Sequence, residues 1–516
     1  MSEHTVRWID PSDGANGAAV LSLAEGDDVG VALRNLAAGD DCGKDLRAST
    51  AVPKGHKIAM RAMDTGQRVA KYGQMIGYAS APIAAGAHVH VHNLEFRNSE
   101  AEHAFASEVP VTDCVSSDQF QGYRRSDGRV GTRNFIAVIS SVNCSATVAH
   151  RIADVFDDEY LGRFPGIDGV AAFTHGTGCG IATSGEGFDN LQRVIGGYAK
   201  HPNVVGVLLV GLGCEASQIG STVASQGLGG PLLRTLNIQT TGGHLKTIAI
   251  AQAMVNEMLE QLSGMQREAC EVGSLSLALQ CGGSDAWSGI TANPALGVAA
   301  DLLVRQGGRA VLAETPEIYG AEHLLTRRAA TPAVAQALME RIAWWQDYVT
   351  RNSGSLDNNP SPGNKLGGLT TILEKSLGAV AKSGSTALTG VYRYAESVDK
   401  PGFAFMDSPG YDPVSVTGQI ATGCTLVAFT TGRGSTFGSK PAPCIKIATN
   451  TDMFRQLEDD MDIDAGVIVS AGDSVDAVGQ NIYERLLEIA SGSQSLSEKH
   501  GLGDHEFVPW QIGATM

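Results

Sequence analysis

From residue 121 onward, apolar runs of strand length alternate with segments that have a helical pattern. FIAVISSV is followed by ATVAHRIADVF, VAAFTH by FDNLQRVIGGYAK, and LSLALQ by LGVAADLLVRQG. Strands of a parallel sheet are covered by helices on both faces, so they read as nearly continuous apolar runs that alternate with helices. The pattern therefore predicts a large multi-layer α/β region with mainly parallel strands. The amphipathic stretch 332–350 predicts one long helix.

Residues 1–95 show a different pattern, in which short, partly alternating segments are separated by Gly, Pro and Asp. Such segments predict a small β-rich unit. The stretch HVHVHN alternates strictly, which predicts a strand with His88, His90 and His92 on one face. We interpret these histidines as a solvated face, because successive side chains on that face lie about 7 Å apart and fit a single ion poorly.

The chain has 516 residues, which predicts about three domains at roughly 100–200 residues each. We expect a β-rich domain over 1–95, a polar surface linker over 96–120, an α/β domain over 121–270, and a C-terminal α/β catalytic domain over 271–516.

The net charge of −17 argues against nucleic acid or an anionic membrane as a partner. The N-terminal residues lack the pattern of a signal peptide, and no apolar run approaches the ~20 residues of a membrane helix. The nine cysteines are scattered along the chain, which is typical of reduced thiols in a cytoplasmic protein. We therefore expect a cytoplasmic enzyme with a small-molecule substrate, and a homodimer on base rates.

The ends of the predicted strands carry most of the reactive side chains. Ligands of α/β proteins bind outside the carboxyl ends of the strands, and five strand ends carry a thiol, imidazole or carboxylate, usually beside glycine. Each such residue alone is typical of a structural role, since a lone cysteine is most often a small buried apolar residue. Together they predict a shared site that contains at least some of the following residues: Cys144, His175, Cys179, Cys214, Cys281 and Asp285. Glu215, Glu314 and Glu317 also follow predicted strands.

Basic side chains concentrate near FTTGRGSTFG and KPAPCIKIATN, which contain Arg433, Lys440 and Lys446. Arginine binds a carboxylate through two parallel hydrogen bonds, and lysine supplies a point charge. These residues are candidates for binding an anionic substrate. The dinucleotide fingerprint, the phosphate-loop motif and zinc-type C-x-x-C spacing do not occur in the sequence.

Seven motifs, in their order along the chain, resemble those of the altronate dehydratase/galactarate dehydratase family. They are GYRRSDGRVGTRN, THGTGCG, VLLVGLGCE, LQCGGSDAWSGITANP, NPSPGNKLGG, TTGRGSTFG and IKIATN. The N-terminal unit is similar to the family's SAF (β-clip) domain. The resemblance implies a cytoplasmic bacterial lyase that removes water from a sugar acid to give a 2-keto-3-deoxy acid, stimulated by divalent iron or manganese. HVHVHN is similar to the altronate branch and LQCGGSDAWSGITANP to the galactarate branch, so both substrates stay open.

Dehydration of a hydroxy acid needs charge stabilisation, carboxylate binding and proton transfer, and we assign candidates to each. A mixed sulfur and nitrogen ligand set suits Fe(II), with Mn(II) as an alternative. Three thiolates that hold an iron–sulfur cluster with one open iron are a second alternative. The predicted metal ligands are His175, Cys179, Cys214, Cys281 and Asp285; the substrate-binding residues are Lys57, Ser284, Asn364, Arg433 and Lys446; and the acid/base residues are His56, His175 and Lys365.

The role of His56 assumes that the small N-terminal domain covers the catalytic domain as a lid. Two other functions compete with the dehydratase. One is a sulfolactate-type sulfo-lyase or another β-eliminating lyase. The fused domains argue against it, because the family's sulfo-lyase divides them between two chains. The other is a non-catalytic sugar-acid binding protein.

Overall fold

The computed structural model describes residues 18–43, 45–97, 103–115 and 117–516. Within these ranges, no helix combines the length and the apolarity that a membrane span requires. Residues 98–102 and 116 of the predicted linker lie outside the described part of the chain, and residues 103–115 contain neither helix nor strand.

The N-terminal unit consists of short strands and contains no helix among residues 18–43 and 45–97. The strands are β1 (Val20–Leu21), β2 (Val29–Ala32), β3 (Lys57–Ala59), β4 (Arg68–Lys71), β5 (Gln74–Ala79), β6 (His88–Val89) and β7 (Leu94–Glu95). They form two antiparallel sheets, with strand orders β1-β2-β3-β6 and β4-β5-β7. The predicted β-rich unit is confirmed.

The predicted histidine strand is wrong beyond its first two residues. Only His88 and Val89 belong to a strand; the chain then turns, with Asn93 N donating to His90 O over 3.0 Å. The turn leaves Val91 half exposed and brings the rings of His56, His88 and His90 together, with centroids 5.0–5.4 Å apart. These rings are partly buried rather than solvated, because the turn folds them against one another.

The middle unit contains a four-stranded parallel sheet of order β11-β10-β12-β13 and a three-stranded antiparallel sheet of order β14-β8-β9. The strands are β8 (Gln119–Arg124), β9 (Val130–Gly131), β10 (Phe135–Ser140), β11 (Gly169–Phe173), β12 (Val204–Gly211), β13 (Leu233–Asn237) and β14 (Glu268–Glu271). The helices are α1 (Ala146–Ala153), α2 (Asp158–Leu161), α3 (Glu186–Ala199), α4 (Ile219–Ser225), α5 (Ile238–Thr241) and α6 (His244–Leu262).

The C-terminal unit is built on a seven-stranded sheet, β17-β18-β16-β15-β19-β20-β21, in which every strand pair is parallel. The strands are β15 (Ser276–Cys281), β16 (Arg309–Leu312), β17 (Leu388–Tyr392), β18 (Gly402–Met406), β19 (Leu426–Thr431), β20 (Cys444–Ala448) and β21 (Ile463–Asp464). The helices are α7 (Ala292–Arg305), α8 (His323–Thr326), α9 (Pro332–Arg351), α10 (Pro362–Leu366), α11 (Ile372–Val380), α12 (Asp412–Ala421), α13 (Thr451–Gln456), α14 (Val467–Ser470), α15 (Val475–Ala490) and α16 (Leu496–Lys499).

The predicted α/β fold with parallel strands is confirmed, and the burial of β15 shows why the sequence reveals it. All six residues of this strand are buried. Leu277 and Leu279 join the same apolar core as α7, whereas Ala278 joins the core that contains α12 residues. A strand covered on both faces needs apolar side chains in both directions, which removes the two-residue alternation. The long helix is confirmed as well: it begins after Thr331, whose side chain accepts from Val334 N.

A buried group of three charges joins the N-terminal unit to helix α11. Lys57, Lys71 and Glu374 have side chains with no exposed surface. Lys57 Nζ lies 2.8 Å from Glu374 Oε2, and Lys71 Nζ lies 2.8 Å from Oε1. Burial lowers the pKa of Lys57 to about 8, although the negative charge of Glu374 acts to raise it. The pKa of Glu374 is held low despite its burial, because both ammonium groups stabilise the carboxylate.

Replacement of this carboxylate should weaken the junction strongly. In Glu374→Gln, two buried ammonium groups lose their counter-charge, and we expect the free energy of unfolding to fall by about 3–5 kcal/mol. Urea unfolding measures the loss, with Glu268→Gln as the control, since Glu268 forms an exposed pair with Arg124 and should leave the urea midpoint unchanged. An unchanged midpoint for Glu374→Gln would show that this charge group does not stabilise the junction.

Candidate active site

The chain bends sharply where strand β15 ends, at Gly282 and Gly283. A Cβ atom on Gly282 would overlap the Asp412 carboxylate, and Gly283 has a φ of +60°. Only glycine fits a close approach and a left-handed backbone at consecutive positions without strain. Gly283 O accepts hydrogen bonds from Gly432 N at 3.1 Å and Arg433 N at 2.9 Å. The bend thus brings the ends of β15 and β19 together with the start of α12.

A group of buried ionisable side chains surrounds Cys281, the residue directly before this bend. The donor atoms of Cys281, Glu314 and Glu317 lie within 4.8 Å of one another, and all three residues are buried. Lys382 Nζ is 2.8 Å from Cys281 Sγ, and Lys375 Nζ is 2.6 Å from Glu317 Oε1. We call these five residues the Cys281 cluster. Its members come from the ends of β15 and β16, from α11 and from the turn after α11.

Glu314 is the strained member of the cluster. Its φ is +73°, a left-handed conformation that is uncommon for a residue with a side chain. Both carboxyl oxygens are buried without a hydrogen-bond partner among the described residues. Burial, and then the neighbouring Glu317, raise the pKa of Glu314 well above its usual range. Burial therefore disfavours the ionised form of Glu314, in a backbone geometry of the kind found at functional sites.

Asp412 is close enough to the Cys281 cluster to interact with the charge of Glu317, and it is also partly exposed to solvent. It is the first residue of α12 and is only partly buried by surface area. Burial, and then the charge of Glu317, raise the pKa of Asp412 to about 7. Glu317 itself stays ionised despite its burial, because Lys375 and then Lys382 hold its pKa low. A carboxyl group that titrates near neutrality is suited to general acid–base work.

The Cys281 cluster does not fit a divalent cation. Two of its three donor groups already pair with the ammonium groups of Lys375 and Lys382. Like unit charges 4 Å apart repel by about 4 kcal/mol at an effective dielectric constant of 20, and a divalent ion doubles that cost. The arrangement fits proton transfer better than metal binding.

The carboxylate of Asp285 fixes the loop that contains it through hydrogen bonds. Its Oδ1 accepts from the backbone N–H groups of Trp287 and Ser288, each at 3.0 Å, from Ser288 Oγ at 3.1 Å and from Thr449 Oγ1 at 3.0 Å. Its Oδ2 accepts from Asn450 Nδ2 at 3.1 Å. These bonds engage most of the carboxylate lone pairs and join the loop after β15 to the loop after β20.

Helix α10 supports the other side of the bend. Asn364 Nδ2 donates to Ser284 O at 2.8 Å, while the buried Ser284 Oγ has no partner among the described residues. The Lys365 side chain is partly exposed. His90 Nε2 donates to Lys365 O at 2.9 Å, and His56 Nε2 donates to Leu366 O at 3.3 Å. The N-terminal unit therefore rests on the segment that borders the bend.

His56 is held as a neutral imidazole at this contact. Its Nδ1 lies 3.0 Å from His88 Nε2, and because Nε2 of His56 donates to a carbonyl, Nδ1 accepts from His88. Burial lowers the pKa of His56, and burial with its histidine neighbours lowers that of His88 to about 3.

Three predicted substrate-binding residues occupy very different places. Lys57 donates to Gly368 O and to both oxygens of Glu374, which engages its ammonium group within the domain junction. Lys446 is fully buried in the middle of β20, and its nearest charge partner, Asp460, is 3.8 Å away. Arg433 is exposed beside Gly283. Of the three, only Arg433 has a side chain free to meet an anion at the bend.

His175, Cys179 and Cys214 lie at the carboxyl edge of the four-stranded sheet of the middle unit. His175 is buried with both ring nitrogens bonded to backbone, Nε2 to Ser140 O at 3.0 Å and Nδ1 to Thr177 N at 3.3 Å. Cys179 and Cys214 are exposed. Among the residues that the structure describes, Cys281–Glu314–Glu317 is the only close group of three possible metal ligands. The five predicted ligands are therefore not brought together around one ion.

Sequence reasoning missed the roles of Lys375, Lys382 and Asp412. Asp412 follows the apolar run GFAFM and the turn SPGY, so the rule that places ligands after strands would have found it. The two lysines carry no such signal, because they come from α11 and from the turn after it.

Models of three domains of one family match nearly the whole chain. They are the altronate/galactarate dehydratase SAF domain at residues 18–97, the D-galactarate dehydratase/altronate hydrolase second domain at 122–263, and the D-galactarate/altronate dehydratase C-terminal domain at 272–515. The chain belongs to the D-galactarate/altronate dehydratase family. The resemblance seen in the sequence motifs is confirmed.

Relatives of this dehydratase family match along most of their length. An altronate dehydratase of Bacillus subtilis is 33% identical over 468 residues, which cover 90% of this chain and 92% of the relative. An altronate dehydratase of Escherichia coli is 33% identical over 500 residues, covering 96% and 97%. A galactarate dehydratase (L-threo-forming) of Escherichia coli is 34% identical over 462 residues, covering 87% and 88%. The similarity is equal for the two kinds of dehydratase, so it does not separate altronate from galactarate.

The two glutamates of the Cys281 cluster should respond oppositely to pH. Glu314 has a raised pKa in the folded protein, so its contribution to stability falls as pH rises above about 4.3. Glu317 has a lowered pKa, so its contribution is present above about 4.3 and fades in acid. At neutral pH we expect Glu314→Gln to keep or raise the midpoint of thermal unfolding and Glu317→Gln to lower it. Equal shifts in both variants between pH 4 and 8 would contradict this assignment.

Proposed function

We propose that this member of the family dehydrates a sugar acid of the altronate or galactarate type to a 2-keto-3-deoxy acid, with chemistry at the glycine bend after β15. The observation that carries the proposal is the Cys281 cluster together with the neighbouring Asp412. In it, Glu314 has a raised pKa and Glu317 a lowered one beside two lysines, and Asp412 is partly exposed. The full-length similarity to dehydratases supports the reaction class.

The reaction removes the C2 proton and the C3 hydroxyl of a 2,3-dihydroxy acid. A base takes the C2 proton, the C3–O bond breaks as the leaving hydroxyl receives a proton, and the resulting enol becomes the 2-keto acid. In the proposal, Asp412 is the base, because its pKa of about 7 suits proton uptake near neutral pH. Glu314, whose pKa is raised, gives its proton to the C3 hydroxyl, which leaves as water. Asp412 then passes the proton from C2 to C3 as the enol becomes the ketone, and the proton of the enol hydroxyl returns to Glu314. Lys375 holds Glu317 beside them as a carboxylate.

The carboxylate of the substrate would meet Arg433 beside the bend. Arg433 has no hydrogen-bond or charge partner for its side chain among the described residues, and its backbone is fixed by Gly283 O at 2.9 Å. The unpartnered Ser284 Oγ offers a hydroxyl on the same segment. Lys365 and His56 border this place through α10, so they stay in the proposal as groups near the substrate.

Iron(II), with manganese(II) as the alternative, is the metal of the proposal. When bound, it supplies a Lewis acid for the negative charge that develops on the substrate. The lysine pairs make the Cys281 cluster a poor place for it, so the proton transfers of the proposal are assigned to side chains of this chain. The proposal also places the enzyme in the cytoplasm, as a homodimer.

A substrate panel tests the proposed reaction. The purified chain is incubated without oxygen with Fe(II) and either altronate, galactarate or sulfolactate, and 2-keto acid and sulfite are measured. We expect a 2-keto acid from altronate or galactarate. Sulfite release from sulfolactate would instead support the sulfo-lyase, and binding without any product would support a sugar-acid binding protein.

Asp412 should control the pH dependence of turnover. Because a base must be deprotonated to act, we expect kcat of the wild type to rise with pH through about 7. In Asp412→Asn we expect kcat to fall by about 10²–10⁴-fold and this rise to disappear. Asp476→Asn, which changes an exposed aspartate in the first turn of α15, is the control and should keep both. A variant at Asp412 with the wild-type profile would remove Asp412 from the mechanism.

A further inference from the structure

A cavity of about 570 Å³ lies where the N-terminal unit meets helices α9 and α11. This volume falls in the range of about 300–1,000 Å³ that small-molecule sites occupy. Its apolar walls come from Met75 of β5, Phe96 after β7, Ile342 of α9, and Leu373 and Leu377 of α11. The described residues that line it include neither the Cys281 cluster nor the glycine bend, so the cavity is separate from the candidate active site.

Three buried polar atoms of the residues that line this cavity have no hydrogen-bond partner within the described part of the chain. They are His103 Nδ1, Glu322 Oε2 and His323 Nδ1. Glu322 carries the most weight, because its residue is only 6% exposed. Buried polar atoms are normally paired with protein, water or a ligand. Three unpaired atoms beside one cavity therefore indicate a site that binds polar groups.

The carboxyl group of Glu322 lies without a cationic side chain to balance it. His103 Nε2 is 3.6 Å from Glu322 Oε1, but burial lowers the pKa of His103, so its ring is neutral near pH 7. No lysine or arginine among the described residues forms an ion pair with Glu322. Burial raises the pKa of Glu322, and a cation placed in the cavity would favour the ionised carboxylate again.

His323 offers a second acceptor to the same cavity. Its Nε2 donates to Gln74 Oε1 at 3.0 Å. Burial lowers the pKa of His323 to about 4, so the ring is neutral and its Nδ1 carries a lone pair. A ligand that satisfies both Glu322 and His323 must therefore bring hydrogen-bond donors.

The walls of the cavity favour an organic cation over a metal ion. Within the described residues, only Cys281, Glu314 and Glu317 bring three possible metal ligands within 4.8 Å of one another, so the polar groups of this cavity are no compact metal site. The rings of Phe96 and Tyr319, which line it, have centroids 6.3 Å apart. Aromatic faces attract ammonium groups, and apolar walls accommodate the hydrocarbon part of a ligand.

We propose that this cavity binds a small organic ammonium compound, with its charged nitrogen at Glu322 and its apolar part against α9 and α11. Leu373 and Leu377 are one helical turn apart on α11, and Lys375 of the Cys281 cluster lies between them in the sequence. The ligand would thus contact the helix that positions Lys375. The site stands on the cavity itself, whether or not the proposed reaction is correct.

Isothermal titration calorimetry of the full chain near neutral pH tests the site, with phenethylamine as the probe. We expect one phenethylammonium ion to bind per chain. 2-Phenylethanol, of similar size but neutral, should bind at least about tenfold more weakly, because a hydrogen bond to a charged group is the stronger one. The anion 3-phenylpropanoate should not bind.

Two variants and one control locate the binding. Glu322→Gln keeps the shape of the side chain and removes its charge, and it should weaken phenethylamine about tenfold or more. Ala343→Trp places a bulky ring at an exposed lining residue and leaves Glu322 in place; it should weaken binding as well. Glu340→Gln changes an exposed glutamate of α9 and should leave the affinity unchanged. Thermal unfolding establishes that each variant is folded.

Equal affinity for phenethylamine and 2-phenylethanol would overturn the recognition of charge. An unchanged affinity in both Glu322→Gln and Ala343→Trp would overturn the location, and the absence of binding heat from all three compounds would leave the cavity to water and overturn the site. Calorimetry requires no turnover. A chain that forms 2-keto acid but binds no amine keeps the proposed function and loses this site, and a chain that binds the amine without forming product does the reverse.

Discussion

The carboxylate of Glu374, held between the ammonium groups of Lys57 and Lys71, fixes how the N-terminal unit sits on the rest of the molecule. All nine residues of α11 are buried, so consecutive residues on this helix face different partners. Glu374 faces the N-terminal unit, while Lys375 faces Glu317 in the Cys281 cluster. Buried charges contribute little net stability when paired and cost much when unpaired. We infer that this group acts mainly through geometry, because one helix turn sets both the domain contact and the charge balance of the candidate active site.

The parallel sheets explain why distant segments meet. In the seven-stranded sheet, the ends of β15 and β16 carry Cys281 and Glu314, which are neighbours because their strands are paired. In the four-stranded sheet, the same rule brings the thiols of Cys144, Cys179 and Cys214 to one edge. The carboxyl edge of each sheet thus has its own chemistry: ionisable carboxyls and lysines in one unit, and exposed thiols in the other.

The fold could be predicted from the sequence to a large extent, because burial on both faces leaves a direct trace in apolar runs. The strands β10, β11 and β15 and the helices α3 and α9 fall where the pattern places them. The histidine stretch failed because alternation alone does not reveal a turn: Asn93 closes one after two strand residues. For the site, the strand-end rule selected Cys281 and noted that Glu314 and Glu317 follow a strand, without assigning the two glutamates to the site. It could not reveal that the ammonium group of Lys57 pairs with Glu374, or that the ring of His175 bonds only to backbone atoms. Both outcomes depend on contacts between segments that are far apart in the chain.

Burial and a neighbouring lysine distinguish Cys281 from the cysteines of the middle unit. In sequence, Cys281 looks like Cys179 and Cys214, since each follows an apolar run and lies beside glycine. In the fold, Cys281 is buried 2.8 Å from Lys382, and burial raises the pKa of its thiol although the lysine opposes this. A buried thiol beside an ammonium group is a poor metal ligand and a reasonable member of a proton-transfer cluster. The other two thiols face solvent on loops fixed by His175 and Glu215. The same residue type therefore occurs in two different environments, and the difference arises from burial and from the ammonium group that the tertiary structure places beside Cys281.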